Sequence, residues 1–118
     1  GYTLADRGMD YDEAEKLLTR ALELKPDTAA YLDSLGWMFF RRGDNAKAID
    51  ALERATEVSP GDPTIEEHLG DAYAKGARPR DAVVRYKRAL DTLREAPELA
   101  ESKSQKASIE KKLKALEK

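Results

Sequence analysis

Side chains able to do chemistry are few in this 118-residue sequence, and they are poorly placed for it. His68 is the only histidine and there is no cysteine. A His/Cys metal cluster therefore cannot be assembled within the chain, and a histidine-based catalytic arrangement would have to run through this one residue. Its ordinary role is a polar residue between or on helices. Glu66 and Glu67 are adjacent, and adjacent residues of a helix point in different directions, so they make a poor acid/base pair. Neither G-x-x-x-x-G-K-[ST] nor G-x-G-x-x-G occurs, which leaves no glycine-rich phosphate cradle. The lysine-rich stretch 103–118 is flanked or interrupted by Glu101, Glu110 and Glu117 and has no interleaved aromatics. It reads as the solvated face of a helix, with a short coiled-coil or docking helix as the remaining option, rather than as a patch for nucleic acid or anionic lipid. No catalytic, metal or cofactor residue is expected, and the chain reads as non-enzymatic.

Recognition chemistry is better represented. Trp37 and Phe40 lie three residues apart, a spacing that puts both on one helical face, and aromatics with arginine are the side chains that dominate binding hot spots. Asp33, Arg41, Asp71 and Lys75 supply mixed charge for a polar rim. The plainer alternative is that Trp37 is packed against a neighbouring structural unit and that the charges are ordinary solvated surface.

The elements that would position these residues are helices. Charged residues make up 37% of the chain and aromatics 7%, so the apolar material is mainly Leu, Ala, Ile and Val, the mixture of amphipathic helices. With 21 basic and 23 acidic residues the formal net charge is −2, which gives no support for a non-specific nucleic-acid binder. No apolar run approaches the roughly 20 residues that span a bilayer. The missing cysteines exclude disulfides and leave the redox compartment undetermined.

Laying the sequence on itself with a shift of 34 residues aligns Leu35 with Leu69, Gly36 with Gly70 and Phe39 with Tyr73. Ala14, Ala48 and Ala82 form one series, Ala21, Ala55 and Ala89 another, and Leu18, Leu52 and Tyr86 a third; Pro26 matches Pro60. This period and these residues resemble the tetratricopeptide-repeat (TPR) family, whose frame is W-x2-L-G-x2-Y, then A-x3-F, A and P. Glu66 departs from it where a large apolar residue is usual, and Arg94 where the closing proline is usual; the missing proline suggests a second helix that runs on, or the end of the array. Small residues such as Gly36 and Ala48 let antiparallel helices approach, and Leu35, Phe39 and Leu52 fill the space beside them. The resemblance implies an all-α fold, a right-handed superhelical solenoid of antiparallel helix pairs. Its expected division is a TPR array over 1–95, with a partial repeat 1–28 and full repeats 29–62 and 63–95, followed by a linker and C-terminal capping helix over 96–118.

The helices are expected at 1–7, 11–24, 29–42, 45–58, 63–76, 79–95 and about 102–117. Asp27-Thr28 and Gly61-Asp62 should supply turn and N-cap chemistry, and Pro79 should sit in the first turn of its helix. Ala96-Pro97 should interrupt the chain. In the last helix Ile109, Leu113 and Leu116 share one face, and Lys103, Lys106, Lys111, Lys112 and Lys114 fall on the other, as a terminal cap requires.

By resemblance, the first helix of each pair lines a concave groove that takes a peptide or helix of a partner protein. The groove residues expected to bind are Tyr2, Asp33, Trp37, Phe40, Arg41, Glu67, Asp71 and Lys75. Chaperone-tail recognition is not expected: at positions matching the Lys/Asn/Arg carboxylate clamp stand Tyr2, Ser34, Thr64 and His68. Two alternatives to a partner-binding scaffold are self-association through an apolar N-terminal edge, since Gly1 aligns with Gly36 and Gly70 and so begins partway through a repeat, and an accessory segment of a larger enzyme. No nucleic-acid partner is expected, and a membrane only through parts outside the sequence. The stretches 1–7, 32–37 and 68–73 resemble the C-terminal TPR regions of bacterial envelope-associated proteins, which tilts location towards the periplasm or outer membrane, with cytoplasm as the alternative.

Overall fold

The computed structural model describes residues 11–95 and 100–116; the expected helix at 1–7 lies outside them. All regular structure among the described residues is helical: α1 Tyr11–Leu24, α2 Ala29–Arg42, α3 Asn45–Val58, α4 Pro63–Lys75, α5 Pro79–Arg94 and α6 Ala100–Leu116. Three of these share the boundaries expected from the sequence, and the others differ by one or two residues. The chain divides into two units, Gly1–Pro60 and Gly61–Lys118.

In the first unit α2 packs mainly on α3, and α1 packs on α2. Ala14, Met38, Phe39 and Ala48 form a buried cluster, with Tyr11, Leu35 and Phe40 half-buried against it. Gly36 is where α2 and α3 touch: a Cβ there would come within 2.5 Å of Leu52 Cγ and 3.3 Å of the Ala48 carbonyl. Gly43 ends α2 at φ 96°, a left-handed conformation that costs a residue without Cβ little. The backbone N–H of Asp44 then donates to the Phe39 carbonyl at 2.9 Å. Arg42, the last residue of α2, gathers three carboxylates: Asp44 at 2.8 Å and Asp12 and Glu15 at 3.2 Å each. The hydrogen bond to Asp44 is the largest influence on this guanidinium, and against the cost of burial the carboxylates raise its pKa. The start of α2 differs from expectation. Thr28 makes no side-chain cap; its hydroxyl donates backwards to the Lys25 carbonyl at 3.0 Å.

In the second unit α4 packs on α5, and α6 packs on α5. Asp62 caps α4, its carboxylate accepting from the N–H groups of Thr64 (3.0 Å) and Ile65 (3.2 Å), and Pro63 and Pro79 sit in the first turns of α4 and α5. The close contact is again at glycine, where a Cβ on Gly70 would lie 2.6 Å from Tyr86 Cε1. Glu66, 0% exposed, donates its place in the apolar frame to a charge that is met on two sides. Arg85 Nη1 lies 3.1 Å from one oxygen and the Gly61 N–H donates to the other at 3.1 Å. Without a closing proline, α5 runs to 16 residues against 14 for α3.

Candidate partner-binding surfaces

Of the expected binding residues, those described lie on α2 (Asp33, Trp37, Phe40, Arg41) and α4 (Glu67, Asp71, Lys75). On α2, Trp37 and Phe40 stack with ring centroids 4.8 Å apart and planes 13° from parallel. Both are half-buried, Phe40 resting on the Met38–Phe39 cluster. Trp37 is thus neither a free anchor nor a core residue. It forms a two-ring stack with Phe40, and through Phe40 the stack rests on the core cluster. Asp33, one turn before Trp37, is half-buried, and Arg41, one turn after it, is exposed.

On α4 the expected residues are committed within their own unit. Glu67 and Asp71 are only 14% and 16% exposed, and Lys112 of α6 bridges them, with Nζ 2.6 Å from Glu67 and 3.1 Å from Asp71. Gln105 of α6 adds a hydrogen bond of 3.0 Å to the other Glu67 oxygen. Asp71 also accepts from the Tyr86 hydroxyl at 2.5 Å. Burial pushes the Tyr86 phenol far above its ordinary value, and the bond to Asp71 and the carboxylate charges push it further. Burial alone would lower the Lys112 ammonium, but the hydrogen bond to Glu67 and the charges of Asp71 and Glu67 outweigh it, and its pKa is raised. Lys75 is exposed and His68 half-buried. Tyr2 lies outside the described residues.

The structure corrects one reading of α6. Lys112 does not belong to the solvated lysine face; it turns inward beside buried Ile109 and Leu113. The signal was in the spacing, because 105, 109, 112 and 113 follow the i, i+4, i+7, i+8 pattern of a packed stripe.

Within the first unit a trough of about 300 Å³ runs between α1 and α2, lined by Ala14, Leu17, Leu18, Ala21, Tyr31 and their neighbours. Among the described residues no cluster of three or more His, Cys, Asp or Glu could hold a metal, and no helix is long and apolar enough to cross a membrane.

Helix pairs closed on a small residue, repeated at one interval, define a helical-repeat protein. The tetratricopeptide-repeat family model matches residues 3–63, and the chain belongs to that family. It is 45% identical over 71 residues to a TPR repeat-containing protein of Pseudomonas aeruginosa, covering 60% of this chain but 12% of that protein's length. Among solved structures it is similar to the type III secretion chaperone SycD of Yersinia enterocolitica, in complex with a peptide of the translocator YopD. There the TM-score is 0.85 at 17% identity, over 98% of this chain and 88% of that one. PcrH, in complex with the chaperone-binding region of PopD, gives 0.85 at 16% identity over 98% and 84%. At such identities these likenesses show the fold.

Proposed function

We propose that this chain is a non-enzymatic protein-interaction scaffold that takes a peptide or helix of a partner protein on the first helices of its repeats. The observation that carries the reading is the Trp37–Phe40 stack. A stacked, partly buried pair of rings offers pre-ordered apolar area at small entropic cost, the property that concentrates binding energy at aromatic hot spots. Asp33 and Arg41 on the same face supply the polar rim. Family membership supports the reading, as do the peptide complexes of SycD and PcrH, two proteins of the same fold.

Trp37 is the only tryptophan, so its fluorescence reports on the platform directly. Partners recovered from the native organism by the unmodified chain should shift that emission on titration. The double variant Trp37→Ala/Phe40→Ala, with its helix content intact by circular dichroism, should lose their recovery. Unchanged recovery by the folded variant would rule the platform out.

A second reading, self-association, is favoured by the apolar trough beside α1 and by exposed Leu17 and Leu24. Light scattering over a concentration series separates the two: a stable dimer dissociated by Leu17→Asp would favour self-association, and a monomer throughout would remove it.

A further inference from the structure

The second unit holds α6 by means that differ from those joining α4 to α5. Of the α6 side chains only Ile109 and Leu113 are buried among those described, whereas α4 and α5 each bury five or more residues. At the α4–α5 seam the Tyr86 ring meets the Gly70 backbone with no room for a methyl group. At the α5–α6 seam an open cleft of about 240 Å³ remains, lined by Lys87, Leu90, Asp91, Arg94 and Leu113. The balance of the attachment is polar: Lys112 on Glu67 and Asp71, and Gln105 on Glu67 and Thr64. Lys112 is 35% exposed, so water and salt reach this ion pair and screen it. A helix whose described side chains bury two apolar residues, beside an open cleft and a wetted ammonium, has the features expected of a lower opening free energy than α4 or α5.

The face beneath it has a defined chemistry. It offers an apolar surface at Leu90, which is buried and lines the seam with Leu113, in the same unit as two carboxylates that bind a cation. We propose that α6 is a displaceable occupant of the α4–α5 face, and that a partner helix of the same chemistry, two apolar residues one turn apart with a lysine between them, replaces it. Ile109, Lys112 and Leu113 are this chain's own copy of the pattern. Such a device keeps Glu67 and Asp71 neutralised until a better-fitting helix arrives, and it makes access to α4 depend on competition.

Hydrogen exchange on the full chain tests the first half. Amides of 103–116 should exchange at least ten times faster than those of α4 and α5. Raising salt from about 0.05 to about 0.5 M, or the substitution Lys112→Gln, should widen the gap, while Lys112→Arg should preserve it. The second half is read with a fluorescent peptide of sequence 100–118. It should bind the Lys112→Gln chain at least tenfold more tightly than the unmodified chain, and a peptide with glutamate at the Lys112 position should bind neither. Exchange of α6 in one cooperative event with α4 and α5, or no binding of the peptide to the Lys112→Gln chain, would overturn the proposal. None of these readouts involves Trp37 or Phe40, so the failure of one reading leaves the other intact.

Discussion

The two helix pairs, α2–α3 and α4–α5, occupy equivalent stretches of the repeat and solve the same packing problem with opposite chemistry. Leu32 and Glu66 are equivalent positions, and both are buried. The first fills its space with carbon, while the second must be answered by Arg85 and the Gly61 N–H. Leu52 and Tyr86 are likewise equivalent, each lying against a glycine, but only Tyr86 is tied down, through its hydroxyl to Asp71. Asp71 in turn stands where the first pair has Trp37. Charge follows the same division: residues 1–60 hold twelve acidic and eight basic side chains, a balance of −4, and residues 61–118 hold eleven and thirteen, a balance of +2. The repeat therefore constrains backbone approach, through Gly36 and Gly70, much more tightly than it constrains what fills the space beside it.

The largest test breaks the charged solution. Arg85→Met strands the Glu66 carboxylate and should cost about 3–5 kcal/mol in urea unfolding. The double change Glu66→Leu/Arg85→Met, which copies the first pair's solution, should restore most or all of it. If the single and double variants were equally unstable, the ion pair would not be the reason Arg85 is needed.

Next come the glycines. Gly36→Ala and Gly70→Ala should each destabilise by about 1–3 kcal/mol through overpacking. Gly70→Ala should cost more, because a tethered ring cannot step aside as a leucine can by changing rotamer. Adding Tyr86→Leu to Gly70→Ala should recover part of the loss; an unchanged double variant would mean the ring is not the obstacle.

Alkaline pH separates the units next. Tyr86 and Lys112 both hold their protons more tightly in the folded chain than the ordinary values of 10.0 and 10.5. Their contribution is complete below about pH 10, and it is lost as pH climbs past the unfolded values towards the raised folded ones. Loss of helix by circular dichroism should set in above that point, ahead of any change in Trp37 emission. Tyr86→Phe should blunt the transition.

The smallest effect concerns the turns. Gly43 takes the left-handed conformation after α2, whereas after α4 it is Ala77, at φ 59°, that does so. Ala77→Gly should therefore stabilise slightly, by about 0.5 kcal/mol, as the relieved left-handed strain exceeds the added freedom of the unfolded chain. A midpoint that falls instead would show that the unfolded-state term is the larger.

Helix positions and the glycine joints were legible because they depend on periodicity, and periodicity is local. The TPR resemblance followed from the same residues. Glu66 stood out as an exception, but its partner did not, since nothing in the sequence says that Arg85 arrives beside it across the pair. Lys112 reads as solvated in the sequence because five lysines close together mask the four-residue stripe to which it belongs. Thr28 had the composition of a cap and not the geometry. For Trp37 the spacing leaves open a binding anchor or packing against a neighbouring repeat, and the structure shows it half-buried and stacked on Phe40.

Glu66 also bears on exchange of parts between proteins. Its carboxylate is satisfied wholly from residues 61–85, so the segment carries its own countercharge. Grafted into another array as a block, it would bring no debt with it. Averaged position by position with its relatives, it could inherit the arginine without the glutamate, or the glutamate without the arginine, and either chimera would bury a lone ion. For this repeat the heritable unit is the pair.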